Sequence, residues 1–587
     1  MKRIPRLSGD FFYKGMYRMQ KKWDVKTVPD VEVNVLSRSL GVGAITARVL
    51  IGRGIDTVEE GLRFFSPALS SMPDPFLLKG MQAAVERVIK AQKNGETVCV
   101  YGDYDVDGIT GTVLLVSFLR QVGLVCNYFI PNRFDDGYGL NEEALQRIID
   151  TGATLIISVD CGITAVKEAA FCRQAAVDLI ILDHHAPRES IPEATAVVNP
   201  LQPGCSYPFK MLAGVGVAFN LLVALRSRLR GEGAFGAGKG PDLREWLDLV
   251  ALGTIADVVP LVGQNRTYAF YGLQKLENSC RPGIAALKKV AGIVEAVTCG
   301  QVGFRLAPRL NAAGRMESAV PGVDLLLNSS ADECAVIAGE LDTANAERQT
   351  VERGILEQAI AMVDAPGIYP ACRSIVLASC DWHQGVIGIV ASRLVERYHR
   401  PTILIAIDKE GNAKGSGRSI PGFHLLEALT ACSGHLERFG GHRYAAGVGL
   451  KAGDIDTFAA AFEAVAGHAL KDSELVPILD IDSDVCPPEV DLALALELKR
   501  MEPFGAGNPE PTLMMSGVTV VERRIVGDGH LKLRLSAGGQ VFNAIAFRQA
   551  ECPTDGMLDI AFYPECNLWN NATTLQLRIK AIRNKEA

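Results

Sequence analysis

Between residues 102 and 112 the chain reads GDYDVDGITGT, placing Asp103, Asp105 and Asp107 at alternate positions directly after a β-rich run. Hard divalent cations take oxygen ligands, and alternating carboxylates in a turn can converge on one ion. Without a cation, three near-adjacent aspartates repel one another, which argues against a purely structural role. An EF-hand calcium loop shares the D-x-D-x-D-G spacing but requires an acidic residue at its twelfth position. Counting from Asp103 that position is Leu114, and a strand precedes the loop, so the calcium reading fails. Further along come Asp160 in SVDCG, the run Asp183-His184-His185 in LDHHAP, and Asp257 in LGTIADVVP. Carboxylates with imidazole suit a first-row metal such as manganese better than calcium. Paired cations roughly 3.5–4 Å apart are a standard device for phosphoryl hydrolysis.

Such side chains need elements to bring them together. VCVYGD (98–103), LVCNYFI (124–130), TLIISVD (154–160) and DLIILD (178–183) are short apolar, β-rich runs, separated by helical candidates at 109–121, 141–151 and 163–174. Strands and helices alternating at this spacing indicate right-handed βαβ units on a parallel sheet. Ligands of such sheets bind beyond the carboxyl ends of the strands. Asp103, Asp160 and Asp183 each end one of these runs. The stretch 331–363 lacks proline, is rich in Ala, Glu and Leu, and reads as one long helix, favoured as a rigid connector. A second α/β unit follows, with strands at 374–379 and 401–407 around a helix at 385–397. HLKLRL (530–535) and LQLRIKAI (575–582) alternate strictly, as half-buried antiparallel strands do, and a small β-barrel is their natural closure. The alternation places Lys532, Arg534, Arg578 and Lys580 on its wet face, while Phe542, Phe547, Tyr563 and Trp569 are candidates for base stacking or core packing.

At 587 residues the chain is too long for one core. The expected division is an N-terminal helical segment (1–80), a catalytic α/β domain (81–328), a connecting helix (329–365), a smaller α/β domain (366–472) and the barrel (473–587). A hydrophobic content of 48% and a charged content of 22% are those of an ordinary globular protein. The first residues lack the apolar stretch of a secretory signal, and the run Met211 to Leu225 is too short to span a bilayer, so a cytoplasmic protein with no membrane partner is expected. The 14 cysteines form no C-x-x-C pair and are expected to be reduced. A net charge of −7 does not advertise a nucleic-acid ligand, but a local basic stripe, not the total, binds a phosphate backbone.

GDYDVDG, VDCG, LDHH and GTIADVVP, in this order, resemble the motif set of the DHH phosphoesterase superfamily, which is far more specific than any one motif alone. The resemblance implies two Mn2+ or Mg2+ ions. It implies Asp105 and Asp160 as ligands of the first ion, with Asp103 beside it, and Asp107, Asp160, His184 and Asp257 as ligands of the second, with Asp160 bridging. His185 resembles the histidine that contacts the scissile phosphate, and Asp183 the group that orients the histidine pair. Cations so placed activate a water and neutralise phosphate oxygens.

Within the superfamily the second half of the chain discriminates. SGRS (416–419) and GGHRYAAG (440–447) resemble the DHH-associated domain that supplies a substrate-binding wall, and PNRFDDGYGL (131–140), FRLAPRLNAAGRM (304–316), HQGVIGIVASRL (383–394) and PFGAGNPEP (503–511) resemble the RecJ family of exonucleases. Arg133, Arg315 and Arg418 are candidate phosphate grips, with Ser416, Gly441 and His442 beside them. The likeness implies single-stranded DNA as substrate, 5′ to 3′ polarity, a role in repair and recombination, and a helicase and a single-stranded-DNA-binding protein as partners. Two rivals are a hydrolase of short oligonucleotides, cyclic dinucleotides or pyrophosphate, for which a barrel is superfluous, and a non-catalytic replication factor, which is expected to have lost ligands that are all present here. GEGAFGAGKG (231–240) nearly matches an ATP-binding loop, but Gly240 replaces the required hydroxyl residue and a helix precedes it, so it reads as an inserted loop.

Overall fold

The computed structural model describes residues 21–585 except 134, 135, 138, 237, 295, 366–368, 528, 570 and 571. The first 20 residues, on which the expectation about a secretory signal rests, parts of the 131–140 and 231–240 motifs and the Trp569 side chain therefore lie outside the described residues. The chain forms two compact units, a larger one of 23–307, 322–335 and 480–587 and a smaller one built chiefly of 308–321 and 336–479.

In the larger unit five parallel strands form one sheet in the spatial order Val125–Phe129, Thr97–Gly102, Leu155–Val159, Asp178–Leu182, Ala196–Val198. The chain order reverses between Thr97–Gly102 and Leu155–Val159, which makes the crevice beyond their carboxyl ends the topological switch point. The Leu155–Val159 strand is buried throughout, as parallel strands covered on both faces are. Helices Val106–Gln121, Gly214–Gly231 and Leu247–Ala256 pack together beside the sheet, and their mostly buried sequences explain long apolar runs such as 211–225. Among the described residues no helix is long and apolar enough to cross a membrane.

The larger unit also contains the barrel. Strands Leu513–Val526, His530–Ala537, Gln540–Ala546, Ala572–Asn584 and Leu558–Trp569 follow one another, and the last pairs back onto the first to close the ring. The short N-terminal helices Asp30–Leu40, Ala44–Ile51 and Val58–Phe65 share its core, with Val33, Leu36, Leu50 and Phe64 clustered with Leu513, Leu533 and Phe562. Phe542 and Tyr563 are buried in this cluster, whereas Phe547 is exposed.

The helix Ala331–Val363 is continuous through Gly354. The smaller unit carries a five-stranded sheet in the order Arg438–Gly441, Ala445–Lys451, Asn412–Arg418, Thr402–Ile407, Ile375–Ser379. Only its last two strands are parallel, joined by the helix Ile387–Tyr398.

Candidate metal centre

The aspartate turn leaves the strand Thr97–Gly102 and immediately starts a helix. Asp105 is its N-cap, the carboxylate accepting from the Asp107 and Gly108 amides at 2.9 and 3.2 Å. Gly108 is required by crowding, since a Cβ there would lie 2.5 Å from the Asp103 carbonyl oxygen. Asp107, buried, is gripped from another element: Gly214 and Val215, the first residues of the helix Gly214–Gly231, donate their amides to its two oxygens at 2.6 and 2.8 Å. Helix N-termini are suited to holding an anion in this way.

Asp160 follows the strand Leu155–Val159 with φ at +64°, a left-handed conformation costly for a residue with a Cβ and commonest where function demands it. Asp183 is buried and accepts from four donors: the amides of Ile163, His184 and His185 at 2.8, 2.7 and 3.0 Å, and His185 Nδ1 at 2.8 Å. The Asn199 side chain holds the His185 carbonyl at 2.9 Å. Asp257 caps the carboxyl end of the helix Leu247–Ala256.

Four atoms meet between these elements. His184 Nε2 lies 3.1 Å from Asp160 Oδ1, 3.6 Å from Asp257 Oδ2 and 3.9 Å from Asp107 Oδ2. The first three of these atoms are buried and lack a hydrogen-bond partner among the described residues, which is costly unless something else satisfies them. Asp107, His184 and Asp257 form one group able to hold a cation, Asp103, Asp105 and Asp160 a second, and Asp160, His184 and His185 a third.

Electrostatics point the same way. Burial, then repulsion among the carboxylates, holds Asp103, Asp107, Asp160 and Asp257 above the usual carboxylate range. Burial, with His185 beside it, pushes His184 down to about 4, leaving a neutral imidazole with a free lone pair. Burial alone would lower His185 too, but its hydrogen bond to Asp183 and the surrounding carboxylates push it up to about 9. Repelling carboxylates beside a neutral imidazole are a chemical fit for divalent cations.

Arg133 lies near this cluster, 5.0 Å over the Tyr104 ring, and its charge counteracts the rise at Asp103. The other substrate-side candidates belong to the smaller unit. There the Arg418 guanidinium donates to Ser416 Oγ and the Gly417 carbonyl at 3.1 and 2.8 Å. A Cβ at Gly388, in the first turn of Ile387–Tyr398, would lie 2.8 Å from Ser416 Oγ. Arg315 reaches the same HQGVIG turn, donating to the Gly385 carbonyl at 3.4 Å. Gly441 pairs with Ala446 at φ +147°, and His442 bonds the Ala445 carbonyl through its amide at 2.7 Å.

On the barrel Lys532 and Arg534 are exposed, the latter 3.7 Å from Glu522. Arg578 and Lys580 require a correction, because they do not stand on a solvated face. Arg578 pairs with Glu510 and Glu565 at 2.6 and 3.2 Å, and Lys580 donates to the Glu510 carbonyl and Thr512 Oγ1 at 3.0 and 2.9 Å. The segment before the first barrel strand covers them, which local alternation could not reveal. Sequence reasoning also missed Asn199, Gly214 and Val215; the last two act through backbone amides, and the only trace is the Gly-x-Gly opening of the 214–231 helix.

Three regions of the chain match family descriptions: DHH family, N-terminal domain, over 97–254; DHHA1 domain over 373–468; and RecJ OB domain over 481–581. The single-stranded-DNA-specific exonuclease RecJ of Bacillus subtilis (strain 168) is 38% identical over 574 residues, covering 96% of this chain and 71% of its own length. Crystal structures of RecJ from Thermus thermophilus in complex with Mn2+ and with Mg2+ superpose with TM-scores of 0.84 and 0.78, at 33% and 32% identity. Each match covers 96% of this chain, and 80% and 79% of those chains respectively.

Proposed function

This chain belongs to the RecJ family of single-stranded-DNA-specific exonucleases, and from that membership we propose that it removes nucleotides from the 5′ end of single-stranded DNA in repair and recombination. The observation that carries the reading is the meeting of Asp160 Oδ1, His184 Nε2 and Asp257 Oδ2, buried and without hydrogen bonds among the described residues, beside the aspartate turn at the switch point of the sheet. Asp103, Asp105 and Asp160 would hold one cation, and Asp107, Asp160, His184 and Asp257 the other, with Mn2+ or Mg2+ in both places. When bound, the two ions lower the pKa of an attacking water and offset charge on the phosphate.

The chain's own residues do the rest. Asp183, fixed by backbone amides, holds His185 through Nδ1 and orients its ring, so that Nε2 is turned to a phosphate oxygen. The amides of Gly214 and Val215 hold Asp107 in one rotamer as the substrate arrives. Arg133 on the larger unit, and Arg315 and Arg418 on the smaller, bind phosphates of the strand by charge-assisted hydrogen bonds, and Ser416, Gly441 and His442 of the smaller unit are further phosphate-binding residues. Lys532 and Arg534 attract the trailing strand to the barrel. In this reading 81–328 is the catalytic domain, 366–472 the substrate-binding domain and 473–587 the nucleic-acid-binding domain. The enzyme works in the cytoplasm with a helicase that supplies strands and a protein that keeps them single.

Digestion of end-labelled single strands with Mn2+, Mg2+ or a chelator tests the proposal. Mononucleotides released from the 5′ end only with a metal are expected. Cleavage confined to dinucleotides, or release from the 3′ end, would overturn it.

A further inference from the structure

After Asp257 the chain runs through Pro260 and Leu261 into the helix Gly263–Glu277, and this short segment is held from the barrel side. The Leu261 amide donates to the Ala506 carbonyl at 2.7 Å. A Cβ at Gly505 would sit 2.7 Å from Leu261 Cδ1, and one at Gly507, where φ is +70°, 2.9 Å from Pro260 Cβ. Glycine at both positions lets the two backbones approach this closely.

Arg266, one turn into the following helix, is 3% exposed. Its guanidinium donates to the carbonyls of Phe64, Met501 and Glu502 at 3.3, 3.0 and 2.8 Å and lies 3.8 Å over the Phe64 ring. Asn508, also buried, folds the same loop onto itself, donating to the Met501 and Pro503 carbonyls at 3.0 and 2.9 Å while accepting from Arg53 at 2.6 Å. At the far end Glu510 and Thr512 are bound by Arg578 and Lys580 of the last barrel strand. A continuous set of hydrogen bonds thus runs from the barrel wall to the backbone four residues beyond Asp257.

We propose that residues 501–512 form a strut, clamped by Arg266 and Asn508, that fixes the barrel in register with the metal centre so that a strand held on the barrel delivers its end there. Arg266 and Asn508 are positioning residues for long substrates; neither touches the reacting atoms. The inference rests on the reading of the barrel as a single-strand binder. A rigid link converts engagement of the barrel into a high local concentration of the strand end at the site, and a loose link dilutes it over many orientations.

The test measures KM and kcat with Mn2+ for a long single strand and for a dinucleotide, using the full chain as wild type, Arg266→Lys and Asn508→Ser. In either variant KM for the long strand rises about tenfold, while kcat/KM for the dinucleotide stays within about twofold. Equal losses on both substrates identify a merely structural role and overturn the proposal. A preference for the long strand that survives both substitutions overturns the strut alone. A wild type with no such preference overturns the barrel reading and the strut with it. If Arg266→Lys does not fold, Asn508→Ser, which leaves residues 257–266 untouched, reads the same outcome.

Discussion

Gly214→Ala disturbs the metal centre without removing any ligand. The new methyl would lie 2.7 Å from Asp160 Cβ, 2.8 Å from Asp160 Oδ1 and 3.0 Å from Asp160 Cα. Ordinary contacts between such atoms are about 3.5–4.0 Å, so Asp160 or the helix start must retreat by about 1 Å. The retreat cannot be confined to one side, because the same residue's amide holds Asp107 at 2.6 Å. Both putting Asp160 out of place and loosening Asp107 spoil the convergence with His184 Nε2. A misplacement of this size costs about 100-fold in rate, whereas overpacking costs only about 1–3 kcal/mol of stability, a fall of a few degrees in Tm. The assay is single-turnover release from an end-labelled single strand at saturating Mn2+, with a melting curve on the same sample. Gly339→Ala is the control, since nothing among the described residues lies within 4 Å of a Cβ there and the site is helical. A wild-type single-turnover rate in Gly214→Ala would refute the reasoning.

His184→Ala and Asp107→Ala remove ligand atoms from the cluster and should abolish hydrolysis while leaving the circular dichroism spectrum native; activity within about tenfold of wild type in either contradicts the assignment. Lys532→Glu with Arg534→Glu should raise KM for long strands and flatten its salt dependence, with dinucleotide hydrolysis unchanged; an unaltered salt slope contradicts a phosphate-binding role. Lys580, pushed down to about 8 mainly by burial, loses its proton in the folded chain at a lower pH than in the unfolded one. The unfolded state therefore binds more protons between the two values, and stability rises with pH from about 8 to 10.5, by up to about 3 kcal/mol. Lys580→Met should remove that rise, as read by denaturant unfolding at pH 7.5 and 10; parallel curves for the two proteins contradict it.

What was legible in the sequence was whatever depends on local pattern. Asp103, Asp160 and Asp183 stand at strand ends because short apolar runs alternate with helices, and that pattern survives in the folded sheet. The helix Ala331–Val363 matches its expected span because an unbroken Ala, Glu and Leu composition leaves nothing to interrupt it. What depends on distant partners was not legible. Alternation assigns Arg578 and Lys580 to the outside of the barrel correctly as a face, but not the segment around Glu510 that covers that face. The N-terminal helices join the barrel's core through contacts hundreds of residues apart, of which no local period carries a trace. Gly214 and Val215 contribute through amides that every residue possesses, so only folding distinguishes theirs.

The central claim is that six side chains from four separated segments converge on a pair of cations. Anomalous diffraction from crystals soaked in Mn2+ tests it most directly. The account predicts two peaks roughly 3.5–4 Å apart, with Asp160 touching both and His184 and Asp257 on one of them. A single ion remote from His184, or two ions in pockets that Asp160 does not join, would contradict it.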